Sequence, residues 1–217
     1  MKHLTKYCIF FILFTWLSSA YAVTLDSTDT GVLGSLLMPE DSIDIGMAAL
    51  TIAKVVYPDL DIKAYSAKID EMVEKVRILT HGSTDPDYRV RVLNTYLYKM
   101  QGFKYDPSEI DVETEKSKNL EDQFLNGILD TKMGNCVTMP MLYIAVAQRL
   151  GYPVYAVVAP DHYFVRYIDP HLKRQNIEAT AGGYVSDGEY IYTLHVSKKG
   201  LESGAYMRTL TYREYVA

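Results

Sequence analysis

The chain has 217 residues, of which 48% are hydrophobic, and a formal charge of −5 at pH 7. This composition excludes a disordered chain and a protein embedded wholly in a membrane. The excess of acidic residues disfavours nucleic acid and anionic lipid as partners. The length suits one domain, which would bury about 70% of the surface of the unfolded chain.

The first 22 residues have the pattern of a cleavable secretory signal. Lys2 and Lys6 form a basic start, and residues 8–17 form an apolar core that is too short to span a bilayer comfortably. Residues 20–22 have the small-x-small sequence Ala-Tyr-Ala. We therefore predict cleavage after Ala22 and a periplasmic or secreted protein, with membrane contact only through this segment before cleavage. The alternative is an uncleaved membrane anchor.

Residues 23–40 have little periodicity and predict a loose lead-in to the domain. After them, apolar residues spaced three to four apart lie between capping and stop signals, which predicts three amphipathic helices. We expect their aromatic and methionine side chains to pack in the core, because these helices carry no cluster of catalytic residue types. The predicted helices start at Asp41-Ser42, at Asp61 and at Asp85-Pro86, and they stop at Pro58, at residues 81–83 and at Gly102.

The second half of the chain changes from helical to strand periodicity. Residues 105–118 are polar and acid-rich, which predicts either a surface loop or a mobile cover over a neighbouring site. Residues 119–133 predict a helix, and the largely apolar residues up to Leu150 predict a second helix that is buried on all sides. The predicted strands occupy residues 154–159, 162–168, 174–178, 190–196 and 206–210.

The order of these elements predicts an α+β fold, in which N-terminal helices precede a central helix packed on an antiparallel sheet. We predict one domain over residues 41–217, with a helical part at 41–104 and a catalytic core at 119–217. The sequence has no internal repeat and no glycine-rich phosphate loop.

Cys136 is the cysteine that remains after removal of the signal, since the other, Cys8, lies within it. A single cysteine in an exported protein is a buried inert residue, forms an intermolecular bridge or is a reactive thiol. Cys136 follows the turn Gly134-Asn135 at the start of the buried helix, where unpaired N–H groups and the helix dipole favour a thiolate. Because of Pro140, either Cys136 is the first residue of a loosened helix or it lies on an irregular turn before the helix.

A histidine and a carboxylate follow the cysteine along the chain. His162 begins a predicted strand, and Glu178 lies on the next one. If these strands form a hairpin centred near Pro170, His162 and Glu178 lie opposite each other on the same face. The carboxylate would then orient the imidazole, as in a thiol acyl-transfer enzyme. Asn176, two residues away on the same face, is the alternative orienting residue.

Three segments carry these residues: 134–140 (Gly-Asn-Cys-Val-Thr-Met-Pro), 160–162 (Pro-Asp-His) and 176–180 (Asn-Ile-Glu-Ala-Thr). They resemble a bacterial branch of the transglutaminase-like superfamily, which is often found beside tetratricopeptide repeats, and the similarity extends over about residues 40–215. The resemblance implies a papain-like core with Cys136 as nucleophile, His162 as base and Glu178 as the third member. The superfamily usually has aspartate in the third position.

The resemblance and the residue order together predict an exported enzyme that forms a thioester on its cysteine and passes the acyl group to water or to an amine. The substrate would be a peptide, a protein or a peptidoglycan-like polymer. The backbone N–H of the nucleophile and a side-chain amide of Asn135, Asn119 or Gln123 would stabilise the oxyanion. No cofactor or metal is expected, because ligand spacings such as C-x-x-C and H-E-x-x-H do not occur. The alternative function is a non-catalytic module that binds peptide or cell wall with the same fold.

Overall fold

The computed structural model describes residues 43–106, 110–111, 116–117, 121–172 and 175–216. The predicted signal segment and lead-in lie outside these ranges, as does most of the acid-rich connection. No helix within the described ranges is long and apolar enough to cross a membrane.

The first half of the described chain is helical, as its periodicity predicts. Asp61 and Asp85 cap the second and third helices, as predicted, by accepting hydrogen bonds from N–H groups of the first turn. The first helix is capped by Asp44, so the predicted start at Asp41-Ser42 is wrong. The helical elements are α1 (Ile45–Val56), α2 (Ile62–Thr80), α3 (Pro86–Asn94), a π-helical turn (Thr95–Met100), a 3-10 turn (Glu121–Gln123) and α4 (Leu125–Thr131).

The second half contains a four-stranded antiparallel sheet in the order β5-β6-β7-β8. Its first two strands match the prediction closely, and the third is shorter than predicted. Outside this sheet, β1 pairs with β4 in parallel and β2 pairs with β3 antiparallel. The strands are β1 (Lys104–Tyr105), β2 (Ile110–Asp111), β3 (Lys116–Ser117), β4 (Met133–Gly134), β5 (Val154–Ala159), β6 (His162–Tyr167), β7 (Asn176–Glu178) and β8 (Gly183–Tyr184).

The central helix α5, Thr138–Arg149, lies between the other helices and the sheet. It packs against α1, α2 and α4 and also against β5 and β6, and residues 142–147 are each at most 2% exposed. Its start settles the question that Pro140 raises: Cys136 lies on a turn before the helix, and Pro140 lies in the first helical turn, where N–H groups have no intrahelical acceptor. The predicted α+β class, with a central helix packed on an antiparallel sheet, is confirmed.

Two predicted strands are wrong and one predicted helix is too long. Residues 190–196 belong to a helix and the turn after it, because Ser186 caps that helix by accepting a hydrogen bond from the Glu189 N–H at 3.1 Å. Residues 206–210 form one isolated bridge to β5. The helix predicted over residues 119–133 is shortened to the 3-10 turn and α4. The last helices are α6 (Asp187–Thr193), α7 (Lys198–Glu202) and α8 (Tyr212–Val216).

Candidate active site

The turn before α5 holds Cys136 between two residues that fix its backbone. Asn135 Oδ1 accepts hydrogen bonds from the N–H groups of Val137 (2.8 Å) and Thr138 (2.9 Å). In return, Thr138 Oγ1 accepts one from the Asn135 N–H at 3.1 Å, so the two residues form a reciprocal cap. Among the described residues, no group accepts a hydrogen bond from the Cys136 N–H. The free, half-buried thiol therefore lies beside an unused backbone donor.

Gly134 allows this turn to lie close to α4, because an added Cβ would stand 2.6 Å from Ile128 Cδ1 and 2.8 Å from Thr138 Oγ1. We expect Gly134→Ala to lower the free energy of unfolding by about 1–3 kcal/mol, since the crowded side chains must move and the cap loosens. Urea denaturation measures the change. Gly183→Ala is the matched control, because no atom lies within 4 Å of the Cβ it would add. Equal loss of stability in the two variants would contradict this explanation.

A two-residue turn brings the start of β6 to the sulfur. Pro160 and Asp161 join β5 to β6, and Asp161 adopts a left-handed conformation with φ 52°. The Asp161 carbonyl oxygen lies 4.0 Å from Cys136 Sγ. His162 follows directly, with its Nε2 2.7 Å from Glu178 Oε2, and the Cys136 thiol is close enough to the ring to raise the pKa of His162.

The predicted hairpin register is wrong by two residues. Val165 pairs with Ile177, so continuing this register places Glu178 opposite Phe164 rather than opposite His162. A shift of two residues keeps every side chain on its face of the sheet, and Glu178 therefore still points to the imidazole. The contact therefore runs diagonally, and the long glutamate side chain spans it.

The Glu178 carboxylate is held by donors on both oxygens. Oε1 accepts from the Thr180 N–H (2.9 Å) and the Thr180 hydroxyl (2.7 Å). Oε2 faces the His162 ring and also accepts from the Tyr190 hydroxyl at 2.9 Å. Burial by itself would raise the pKa of Glu178, but the hydrogen bonds and charge of His162 and the hydrogen bonds from Thr180 lower it overall. Glu178 is therefore an anion at neutral pH.

The same contacts act on His162 in the opposite direction. Burial tends to lower the pKa of His162, but its hydrogen bonds with Cys136 and Glu178, together with the charges of these groups, raise the pKa from 6.5 to about 9. The imidazole is therefore mainly protonated at neutral pH, and an imidazolium beside a thiol stabilises the thiolate form.

These two shifts predict a pH window of greatest stability. The folded-state pKa of His162 is raised, so its contribution is full below about 6.5 and is lost as pH rises through about 9. The pKa of Glu178 is lowered, so its contribution is full above about 4.5 and is lost as pH falls through the lowered value. Urea denaturation of the protein should therefore show a loss of stability between pH 6.5 and 9 that is smaller in His162→Ala. Parallel curves over this range would contradict the raised pKa.

Of the other predicted site residues, Asn176 has partners other than the imidazole. Asn176 Oδ1 accepts from Arg166 Nε at 2.7 Å, and its Nδ2 donates to Asp187 Oδ1 at 2.7 Å, so its amide is oriented toward α6. Gln123 is half-buried in the 3-10 turn, and Asn119 lies outside the described residues.

The remaining described histidines do not join the site. His81, His171 and His195 are all exposed, and His195 lies in the turn after α6 rather than on the predicted strand. Within the described part of the chain, no group of three or more His, Cys, Asp or Glu side chains is arranged to hold a metal ion.

Comparison with known proteins identifies the family. The sequence model of the transglutaminase-like superfamily matches residues 63–214. The chain belongs to the transglutaminase-like superfamily. Two relatives named UPF0162 protein, from Xylella fastidiosa strains Temecula1 and 9a5c, are each 27% identical over 133 residues, which cover 58% of this chain and 43% of the relative. The chain thus matches less than half the length of these relatives.

A solved structure titled "Crystal structure of a TGase" is similar to this superfamily member with a TM-score of 0.45 and 15% sequence identity. The match covers 69% of this chain and 43% of the other chain.

Two contacts of the carboxylate, Tyr190 and Thr180, are not among the site residues that the sequence predicts. The hydroxyl of Thr180 is two residues from Glu178 and needs only a turn after β7 to reach it. The sequence pattern predicts a strand at Tyr190, although Ser186 and Glu189 have the spacing of a capping box, which signals a helix. In that helix, Tyr190 lies one turn after the first residue, and its side chain faces the sheet.

The helical half of this superfamily member also contacts the loop after β7. The Tyr98 hydroxyl, on the π-helical turn, donates to the Ala179 carbonyl at 2.7 Å, and Asn94 Nδ2 donates to the Gly182 carbonyl at 2.6 Å. Gly182 has φ 74°, and an added Cβ would stand 2.5 Å from the Tyr98 ring. Tyr143 of the central helix in turn donates to Asn94 Oδ1 at 3.0 Å. These contacts fix the loop and the carboxylate at its start.

Proposed function

We propose that this superfamily member is an exported thiol enzyme that transfers acyl groups from peptide or amide bonds. The observation that carries the proposal is the His162 ring, which lies 2.7 Å from the Glu178 carboxylate and follows Asp161, whose carbonyl lies 4.0 Å from the Cys136 sulfur. A nucleophile, a base and a group that orients the base are the parts that acyl transfer requires.

The reaction begins when the Cys136 thiolate attacks the carbonyl carbon of the substrate. The oxyanion forms near the unused Cys136 N–H, and a side-chain amide near the turn is the second donor. As the C–N bond breaks, His162 gives its proton to the leaving amine, and a thioester remains on the sulfur. Glu178 keeps the ring in place and stabilises its charged form.

The acyl group then passes to a second nucleophile. His162 takes a proton from water or from an amine, which attacks the thioester and releases Cys136. Water gives hydrolysis, and an amine gives a new amide bond. The substrate class we propose is a peptide, a protein or a peptidoglycan-like polymer outside the cytoplasm.

Trapping of the thioester tests this function. The protein is mixed with a labelled peptide mixture, quenched in acid after short times and weighed intact by mass spectrometry. We expect an acyl adduct on Cys136 that disappears on addition of hydroxylamine, and none in Cys136→Ala. Peptide that binds both proteins equally, without an adduct, would contradict the enzyme and favour the binding module.

Export is the second part of the proposal and rests on the sequence of residues 1–22. Protein recovered from the periplasm or the medium is expected to begin at Val23 on N-terminal sequencing. A chain recovered from cells that still begins at Met1 would contradict it.

A further inference from the structure

Tyr190 reaches the oxygen of Glu178 that faces the imidazole. Its hydroxyl donates to Glu178 Oε2 at 2.9 Å, and the same oxygen lies 2.7 Å from His162 Nε2. The Tyr190 ring stacks on Phe164 with a centroid distance of 4.0 Å and an interplanar angle of 15°. Its centroid lies 6.0 Å from that of the His162 ring. A side chain that is 4% exposed is thus fixed by stacking and aims one donor at the carboxylate.

The helix that carries Tyr190 is tied to the same face of the sheet. Asp187, its first residue, accepts at Oδ1 from Asn176 Nδ2 (2.7 Å) and from Arg166 Nη2 (2.8 Å). Arg166 also donates through Nε to Asn176 Oδ1 at 2.7 Å, so the three side chains form a closed set. Tyr190 lies three residues further on, one turn along α6. The helix start is therefore anchored to β6 and β7, the strands that carry the base and the carboxylate.

We propose that Tyr190 is a positioning residue for the thiol chemistry, which holds Glu178 Oε2 in line with the imidazole through its hydroxyl. This inference rests on the proposed function. Asn176, the alternative orienting residue in the sequence, then acts indirectly, by anchoring the helix that carries Tyr190.

The hydroxyl, rather than the ring, carries the proposed role. Glu178 is faced by His162 from β6, by Thr180 from the following loop and by Tyr190 from α6, and the Tyr98 hydroxyl lies nearby on the Ala179 carbonyl. Of these, only Tyr190 shares Oε2 with the imidazole. A donor to a carboxylate stabilises its charged form, so removal of the hydroxyl should make Glu178 easier to protonate while a phenylalanine ring keeps the stacking.

The test compares Tyr190→Phe with Tyr192→Phe, a change on the same helix whose side chain is 81% exposed. The first measurement is an NMR titration of the Glu178 side-chain carboxyl carbon. We expect its midpoint to rise by about one pH unit in Tyr190→Phe and to stay unchanged in Tyr192→Phe. The second measurement is the rate of Cys136 alkylation by limiting iodoacetamide over pH 4–6, where a raised midpoint would leave less of Glu178 charged. This rate should fall several-fold in Tyr190→Phe alone.

Each outcome decides one point. An unchanged Glu178 midpoint in Tyr190→Phe overturns the proposal, and so does a raised midpoint with an unchanged alkylation rate, because the tyrosine would then act on the carboxylate without serving the thiol. A raised midpoint together with a slower thiol supports it. If wild-type Cys136 reacts no faster than in His162→Ala, the proposed function fails, whereas the NMR titration still reports whether Tyr190 holds the carboxylate.

Discussion

Replacement of His162 by alanine is expected to slow the alkylation of Cys136 at pH 6 by about one to two orders of magnitude. An ordinary thiol, with a pKa of about 8.5, is about 0.3% thiolate at this pH. The imidazolium that contacts Cys136 is charged up to about pH 9 and favours the thiolate, while the lower nucleophilicity of a stabilised thiolate reduces the difference in rate. Acyl transfer should be lost in the same variant, because His162 also supplies the proton for the leaving amine.

The control for this experiment is His171→Ala, which removes an exposed imidazole and should react like wild type. Circular dichroism confirms that both variants are folded. If His162→Ala is alkylated at the wild-type rate over pH 5–8, the imidazole does not activate the thiol, and the binding-module function replaces the enzyme.

Replacement of Glu178 by glutamine is expected to reduce acyl transfer by up to roughly 10⁴-fold, by analogy with loss of the aspartate in serine-protease triads. The amide keeps the size of the side chain but removes the charge that supports the imidazolium. Glu178→Asp tests the diagonal register directly. The aspartate side chain is shorter by one C–C bond, about 1.5 Å. We therefore expect its carboxylate to lose the hydrogen bond with His162, although its charge is kept.

One further variant and a control decide between Glu178 and Asn176 as the third member. Glu189→Gln alters an exposed carboxylate on α6 and should leave acyl transfer unchanged. Asn176→Ala should cost much less than Glu178→Gln, because Asn176 contacts Arg166 and Asp187 rather than the imidazole. A crippled Asn176→Ala beside an active Glu178→Gln would mean that Asn176 is the third member.

The parts of the site that sequence predicts are those fixed by local geometry. Cys136 lies on the turn before a buried helix, as the Gly134-Asn135 pair and the apolar residues after it predict. His162 and Glu178 share a face because side chains alternate along both strands, and this survives a register error of two residues. An error of one residue would have separated them.

The position of α6 and the partners of Asn176 depend on contacts between distant segments. Gly188 and the tyrosines of residues 190–192 favour a turn and a strand by propensity, yet the helix start is fixed by Asp187, which is bound by Arg166 and Asn176. The local capping signal and these tertiary bonds together outweigh the propensity. Asn176 shows the same limit, since its partner is decided by the position of α6 and not by the strand that carries it.

The contacts of Tyr98 and Asn94 with the loop after β7 have a mechanical consequence. Ala181 and Gly182 donate their N–H groups back to the Glu178 carbonyl, while the carbonyls of Ala179 and Gly182 are held from the helical half. The loop therefore cannot open by itself. Any fluctuation that frees the loop must also break its hydrogen bonds to α3 and the π-helical turn. Residues more than eighty positions apart therefore form one cooperative opening unit. A substitution that destabilises the helical half is thus expected to disturb the Glu178 carboxylate without contacting it.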